Sequence, residues 1–274
     1  MLLKQPLSVL ILNINTRNII TGYSVNMSLR GILKSIHPSK FGLLYSLSPA
    51  SRVCLRTAAA HTRPSSSSSS RSEGISRYPV PNKKDLPFDL VELMEEVEQK
   101  GGFLPNVFKV LAHRPAEFRA FFSYYNALMN KESGGLTKAD RELIVVATSA
   151  HNHCLYCVVS HSALHRIYSK KPMLADQVAV NYRVAELSAR EKAMLDFALT
   201  VCRSKTVTEE HFSTLEAHGF DREDIWDIAA IAAFFALSNR MAHLTDMRPN
   251  EEFYNLGRVQ RDKAKASDGQ VKGE

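Results

Sequence analysis

The sequence is poor in several things whose absence narrows the possibilities. Four cysteines in 274 residues cannot form the disulfide framework of a small secreted domain. The longest unbroken apolar run, residues 228–237 (IAAIAAFFAL), is roughly half of the ~20 residues needed to span a bilayer. Alternation of apolar and polar residues at period two is missing, so no strand is expected. Acid is missing altogether from residues 1–72, and the first carboxylate is Glu73.

That last absence changes the meaning of the net charge of +7. Lys4, Arg17, Arg30, Lys34, Lys40, Arg52, Arg56, Arg63 and Arg71 make residues 1–72 a +9 segment, and the 26 basic and 28 acidic residues that follow come to −2. A basic protein can seek nucleic acid or an anionic membrane, but here the charge sits on a leader and the body is nearly neutral, so neither partner is expected. Basic residues spaced among Leu, Ile and Val, many hydroxyls and no acids are the composition of a mitochondrial transit peptide, and a matrix location is expected, with a cytosolic protein carrying a disordered tail as the alternative. Residues 7–12 (LSVLIL) could serve as the core of a secretory signal, but only Lys4 precedes them and no small-residue cleavage site follows closely. The serine run 65–70 reads as a flexible linker. The organisation expected is a disordered leader over 1–72, a helical domain over 78–258 and a disordered charged tail over 259–274.

The body reads as all-α. Helices are expected over residues 89–99, 107–112, 116–129, 138–150, 154–168, 176–184, 192–203, 209–218 and 222–243, from apolar spacings of three and four. Gly102, Pro115, Gly134, Gly135 and Gly219 punctuate them. Thr137 with Asp140, Ser188 with Glu191 and Asp221 with Asp224 mark helix starts by the hydroxyl- or acid-then-acid spacing of a capping box. Leu136-Thr137-Lys138-Ala139-Asp140 and Leu187-Ser188-Ala189-Arg190-Glu191 echo one another, which suggests two related helical units. Residues 225–237 are apolar on nearly every side, so that helix is expected to be buried.

The chemistry concentrates in residues 141–166 (RELIVVATSAHNHCLYCVVSHSALHR). At about 100° per residue, Cys154, Cys157 and His161 fall within about 60° of arc on one helix face. Cysteines at i and i+3 are close enough to form a disulfide, and His161 is one turn beyond Cys157. Cys154 stands at the helix start, where backbone N–H groups and the positive dipole end stabilise a thiolate. Glu142 would be about 18 Å from Cys154 on one straight helix. A break at His151-Asn152-His153 lets the two helices lie side by side and brings Glu142 towards His161, where a carboxylate orients an imidazole. Zinc is disfavoured, because Cys154 to His165 spans about 16 Å of helix rise and no second CxxC exists; a redox dithiol is the reading favoured, with a buried cysteine pair without function as the plainer alternative. No metal and no cofactor are expected. His165 reads as a surface or packing histidine, His151 and His153 as loop residues, Cys202 as a core residue, and Cys54 as part of the leader.

The spacing Glu142-x11-Cys154-x2-Cys157-x3-His161 resembles the active-site signature of the alkylhydroperoxidase D-like branch of the carboxymuconolactone decarboxylase family, and more closely its peroxidase-related subgroup. Further matching residues are Gly102-Phe103-Leu104-Pro105-Asn106, His113-Arg114-Pro115, Leu136-Thr137, Asn239-Arg240-Met241-Ala242 and the segment from Arg248-Pro249-Asn250 to Gly257-Arg258. The resemblance implies an all-helical fold, homo-oligomeric assembly, a hydroperoxide substrate and a dithiol reductant or peroxiredoxin-like protein as partner. It makes Cys157 the thiolate that attacks the peroxide, Cys154 the resolving cysteine and proton donor, and Glu142 with His161 the proton relay. Where the best-described members place a His before the second cysteine, this chain has Tyr156, and a phenol of pKa ~10 is no base near neutral pH. A non-enzymatic redox-sensing or partner-binding module on the same fold is the alternative; cofactor-free decarboxylation of a lactone acid, which the family carries out without a CxxC, is argued against by the cysteines.

Overall fold

A computed structural model describes residues 74–131 and 134–258. The leader expected over 1–72, with Cys54 in it, and the tail expected over 259–274 lie outside the described residues. Among the described residues ten α-helices follow in order: α1 (Phe88–Gly101), α2 (Asn106–Leu111), α3 (Pro115–Met129), α4 (Lys138–His151), α5 (Leu155–Ser169), α6 (Leu174–Asn181), α7 (Ala189–Cys202), α8 (Glu209–Ala217), α9 (Arg222–Thr245) and α10 (Glu252–Asn255), with 3-10 turns at Lys83–Asp85 and Tyr182–Val184. Among the described residues there is no strand.

The three expected capping boxes form. Thr137, Ser188 and Asp221 each accept from the backbone N–H three residues on, while the acid at that position reaches back to the N-cap N–H. Each satisfies two of the N–H groups that a helix start leaves unpaired.

Helix α4 is the hub. It packs against α5, α6, α7 and α9, and every residue from 140 to 149 is buried. Ile144, Val145, Ile228, Ile231 and Leu195, all at 0% exposure, form the centre of the core. A second apolar cluster joins Leu90, Met94 and Val97 of α1 to Phe108, Phe118 and Phe122, with Phe108 stacked on Phe122 at 4.3 Å between centroids.

Helix α9 is less buried than its composition suggests. It is long and apolar enough to cross a membrane on those grounds alone, and it packs against α3, α4 and α7. Yet Trp226 is 72% exposed and Leu237 53%. The core takes Ile225, Ile228, Ile231, Ala232 and Phe235 at helical spacing and leaves a second apolar face uncovered.

One ion pair inside this core ties α4 to α9. The guanidinium of Arg141, fully buried, donates to Asp227 Oδ2 at 3.1 Å and to the Leu128 carbonyl at 2.9 Å. Lys131 reaches the same carboxylate at 3.0 Å. At the other end of the chain, Asn106 and Asn250 clip two distant segments together: the Asn106 N–H donates to Asn250 Oδ1 at 2.7 Å, and Asn250 Nδ2 donates to the Leu104 carbonyl at 3.1 Å. The chain after α10 closes against α5 through Arg166, which donates to the Phe253 and Leu256 carbonyls. Gly257 there has φ +74°, and a Cβ on it would lie 2.9 Å from Arg166 Cβ, so only glycine fits.

Removing one partner of a buried ion pair strands the other charge. Asp227→Ala is expected to lower stability by about 3–5 kcal/mol, read by urea unfolding at constant m-value; a loss below about 1 kcal/mol would show that Lys131 and Asp227 are solvated and Arg141 is held by its carbonyl contact alone.

Candidate active site

The site is made by the turn between α4 and α5. Helix α4 ends at His151, Asn152 is its C-cap, and His153 takes the left-handed conformation with φ 55°. The His153 N–H donates to the Ala150 carbonyl at 3.0 Å and the Cys154 N–H to the Ser149 carbonyl at 2.9 Å, which is the double bond pattern of a Schellman cap. Cys154 is then both the end of that cap and the N-cap of α5. A break expected from poor helix propensity is therefore a reversal, and α5 returns along α4.

The reversal brings Glu142 and His161 together. His161 Nδ1 donates to Glu142 Oε2 at 2.6 Å, and both side chains are buried. With Nδ1 held, Nε2 is the nitrogen free to take or give a proton. The edge of Phe235 packs against the imidazole at 4.7 Å between centroids, so the ring has one orientation.

Both cysteines are free and each is 1% exposed. The neighbouring Cys157 thiol outweighs burial and brings the Cys154 thiol down to about 7. Cys154 stands at the N-cap of α5, where the positive end of the helix dipole favours a thiolate. Cys157 goes the other way. Its thiol is pushed up because it is the donor in the hydrogen bond to Cys154 and because it is buried, with Asn239 and Ser238 opposing. The Ser238 hydroxyl lies 3.9 Å from the Cys157 sulfur.

The other residues singled out in the sequence fall outside this arrangement. Tyr156 is buried and its phenolic oxygen accepts from the Val107 N–H at 3.1 Å; burial pushes its pKa up, so it is a structural link to α2 and not a base. His165 is a packing residue, fully buried, and burial lowers its pKa to about 4. Cys202 is half-buried at the end of α7 and its thiol approaches Asn152 Oδ1 at 3.6 Å, so it belongs to the edge of the core. His151 and His153 lie at the helix end and its cap. Among the described residues no three His, Cys, Asp or Glu side chains converge to hold a metal. Ser238 was not legible as a site residue: it sits in an apolar helix, and only folding shows that its hydroxyl approaches the Cys157 sulfur.

A half-open apolar cavity of about 660 Å³ lies between α3 and α9, with Phe121, Tyr124, Phe234, Leu237 and Met241 in its lining. Neither cysteine lines it. Ser238 follows Leu237 on α9, so the helix that forms a wall of the cavity also carries the hydroxyl beside the Cys157 sulfur.

Comparison with known proteins bears on the same residues. The carboxymuconolactone decarboxylase family is matched over residues 115–172, which hold Glu142, Cys154, Cys157 and His161. A solved structure from Ralstonia eutropha JMP134, described as an alkylhydroperoxidase AhpD core and a peroxidase-related protein, is 62% identical, with a TM-score of 0.67 over 69% of this chain and 99% of that one. The chain belongs to the alkylhydroperoxidase D-like branch of the carboxymuconolactone decarboxylase family. A peroxidase-related protein from Silicibacter sp. TM1040 is 41% identical over 66% of this chain and 93% of its own, with a TM-score of 0.62. The debrominase Bmp8 shares the AhpD-like fold at 20% identity and a TM-score of 0.52, over 67% of this chain and 95% of that one; at that identity the likeness is one of fold. No curated protein matches the chain.

In this AhpD-like protein the thiol shifted towards neutral pH is that of Cys154. Its alkylation by iodoacetamide, followed by peptide mass spectrometry against pH, is expected to rise with a midpoint near 7, below the ~8.5 of a free thiol. Cys157→Ala removes the strongest donor and should move that midpoint upwards. An unmoved midpoint would show that the helix start alone sets the acidity.

Proposed function

We propose that this AhpD-like protein is a thiol-dependent peroxidase in which Cys154 and Cys157 cycle between dithiol and disulfide and Glu142 with His161 relays protons. The observation that carries the reading is the buried His161–Glu142 contact of 2.6 Å, one helix turn from a hydrogen-bonded dithiol. A structural cysteine pair does not need an imidazole held in one tautomer by a buried carboxylate.

The steps follow from where the protons sit. In the reduced state the Cys157 proton lies in the hydrogen bond to the Cys154 thiolate. Its transfer leaves a thiolate on Cys157, which attacks the terminal oxygen of the hydroperoxide: the S–O bond forms, the O–O bond breaks, and the alkoxide takes a proton and leaves as the alcohol. Cys157 is then a sulfenic acid. Cys154, acidic enough to be thiolate again near neutral pH, attacks the Cys157 sulfur; the S–S bond forms and hydroxide leaves, protonated through His161, as water. Dithiol and ROOH become disulfide, ROH and water. A dithiol reductant, or a peroxiredoxin-like protein carrying one, returns the pair to the reduced state by exchange. His161 Nε2 is the proton source on the enzyme, and Glu142 stabilises the imidazolium between the two transfers.

Tyr156 leaves this chain without the additional histidine of the best-described relatives, so the relay runs through His161 alone. The acid-free leader supports a mitochondrial location for this chemistry.

Peroxide consumption with a dithiol reductant is expected to vanish in Cys157→Ser and to fall about 10²- to 10⁴-fold in His161→Ala, the range of general acid–base contributions, with Glu142→Gln also reduced. Unchanged turnover in Cys157→Ser would overturn the proposal.

A further inference from the structure

Helix α9 buries one face and leaves the opposite one bare. The bare side carries Glu223, Trp226, Ala230, Ala233, Leu237 and Arg240; Ala230 is half-buried and the others are exposed. The steps between them are 3, 4, 3, 4 and 3 residues, the heptad spacing of a helix–helix seam. At about 100° per residue they fall within about 100° of arc, opposite the side that takes Ile228, Ile231 and Phe235 into the core. A contiguous apolar stripe rimmed by charge marks an interaction site.

The stripe reads the same from either end. Charge, large apolar, small, small, large apolar, charge is symmetrical about a point between Ile231 and Ala232, and the two end charges have opposite sign. Two copies of α9 laid antiparallel across a two-fold axis at that point match in every layer. Glu223 meets Arg240 of the second copy, Trp226 meets its Leu237 and Ala230 meets its Ala233, each contact being made twice. The alanines stand at the crossing, where small side chains let two backbones approach, and the large residues flank them. A parallel pair would set Glu223 against Glu223 and Arg240 against Arg240, and like charges across an interface are costly. Among the described residues neither Glu223 nor Arg240 has an ion-pair partner, and Arg240 Nη1 donates to the Ala236 carbonyl of its own helix at 2.6 Å. The antiparallel arrangement also sets the two helix dipoles head to tail.

We propose that α9 is the interface of a two-fold pair, in which a second copy of this chain covers the bare face with Trp226 as its anchor. Assembly alone, as the family resemblance implies it, specifies neither a face nor a symmetry; the order of residues on α9 specifies both. No thiol takes part, so the inference stands apart from the peroxidase reading.

The size agrees. The seam runs about 26 Å along the helix, close to the ~30 Å breadth of a patch of about 800 Å², the area that each partner buries in an interface of standard size. Ala233 and Leu237 also line the apolar cavity between α3 and α9. The apolar surface thus continues past the seam to Tyr124 of α3, which is exposed and lies 5.4 Å from Phe234 between centroids. A second copy on the seam covers part of the cavity's mouth.

The test is the number of chains in solution, read by sedimentation velocity on the reduced full-length protein over a range of concentrations, with far-UV circular dichroism and thermal melts to confirm folding. Trp226 is the single tryptophan of the chain, so its fluorescence reports on this face alone. The wild type is expected to hold an even number of chains and to show the blue-shifted emission of a buried indole. Trp226→Ala is expected to raise the dissociation constant of the pair at least about 30-fold, the loss of a hot spot, and Trp226→Glu to halve the number of chains. Glu223→Arg and Arg240→Glu are each expected to weaken pairing, and the double variant that swaps the charges to restore it, because the two positions meet across the axis. A monomeric or odd-numbered wild type overturns the proposal. So does a Trp226→Glu variant that keeps the wild-type number of chains. If that variant does not fold, single reversals without effect, or a charge swap that restores nothing, overturn it. A monomer whose Trp226 emission is already that of a buried indole would assign the face to residues 1–72 of the same chain, and a monomer that sediments with phosphatidylcholine vesicles would assign it to a membrane; both outcomes contradict the pair.

Discussion

The reversal of the chain at Asn152-His153 is the constraint on which the rest of the structure depends. On a straight helix Glu142 and His161 would be separated by nearly 30 Å; across the hairpin they are 2.6 Å apart. The same reversal makes Cys154 the N-cap of α5. It also places Asn152 where it can hold Asn239. The buried hub position of α4 follows from the same folding back, since α5 covers one side of it and α7 and α9 cover others.

Electrostatics in the site are a balance between burial and directed donors. Burial works against thiolate at both cysteines, yet the two thiols shift in opposite directions. The difference is the direction of one hydrogen bond: Cys157 donates and Cys154 accepts. In the cycle we propose, a resolving Cys154 that is already acidic is suited to close the disulfide before a sulfenic acid on Cys157 can be oxidised further.

Much of this was legible in the sequence, for identifiable reasons. The helices announced themselves through apolar spacing, and three starts through acid-bearing capping boxes whose chemistry is local to four residues. Ends marked by Gly102 or Gly219 were equally readable. Helix α9 runs two residues past His243 because Asp246 adopts the left-handed cap conformation with φ 52°, and nothing in the type of that residue demands it. Glu142, Cys154, Cys157 and His161 stood out because spacing alone places three of them on one face and the fourth beyond a break. The pairing Asn106–Asn250, the Ser238 hydroxyl beside Cys157, and the exposed apolar face with Trp226 and Leu237 were hidden, since each depends on which side of a helix meets a segment far away in the chain. Apolar composition shows that a helix can be buried, and only the packing decides which of its faces is.

The central claim is that the dithiol is a peroxide-reducing pair served by a local proton relay. The most direct measurement is mass spectrometry of the reduced full-length protein after one equivalent of a hydroperoxide, with peptide mapping of the four cysteines. The result expected is loss of two hydrogens, mapped to a disulfide between Cys154 and Cys157, formed rapidly in the wild type and slowly in His161→Ala. The result that would contradict the account is a protein whose Cys154 and Cys157 both remain free thiols after that treatment.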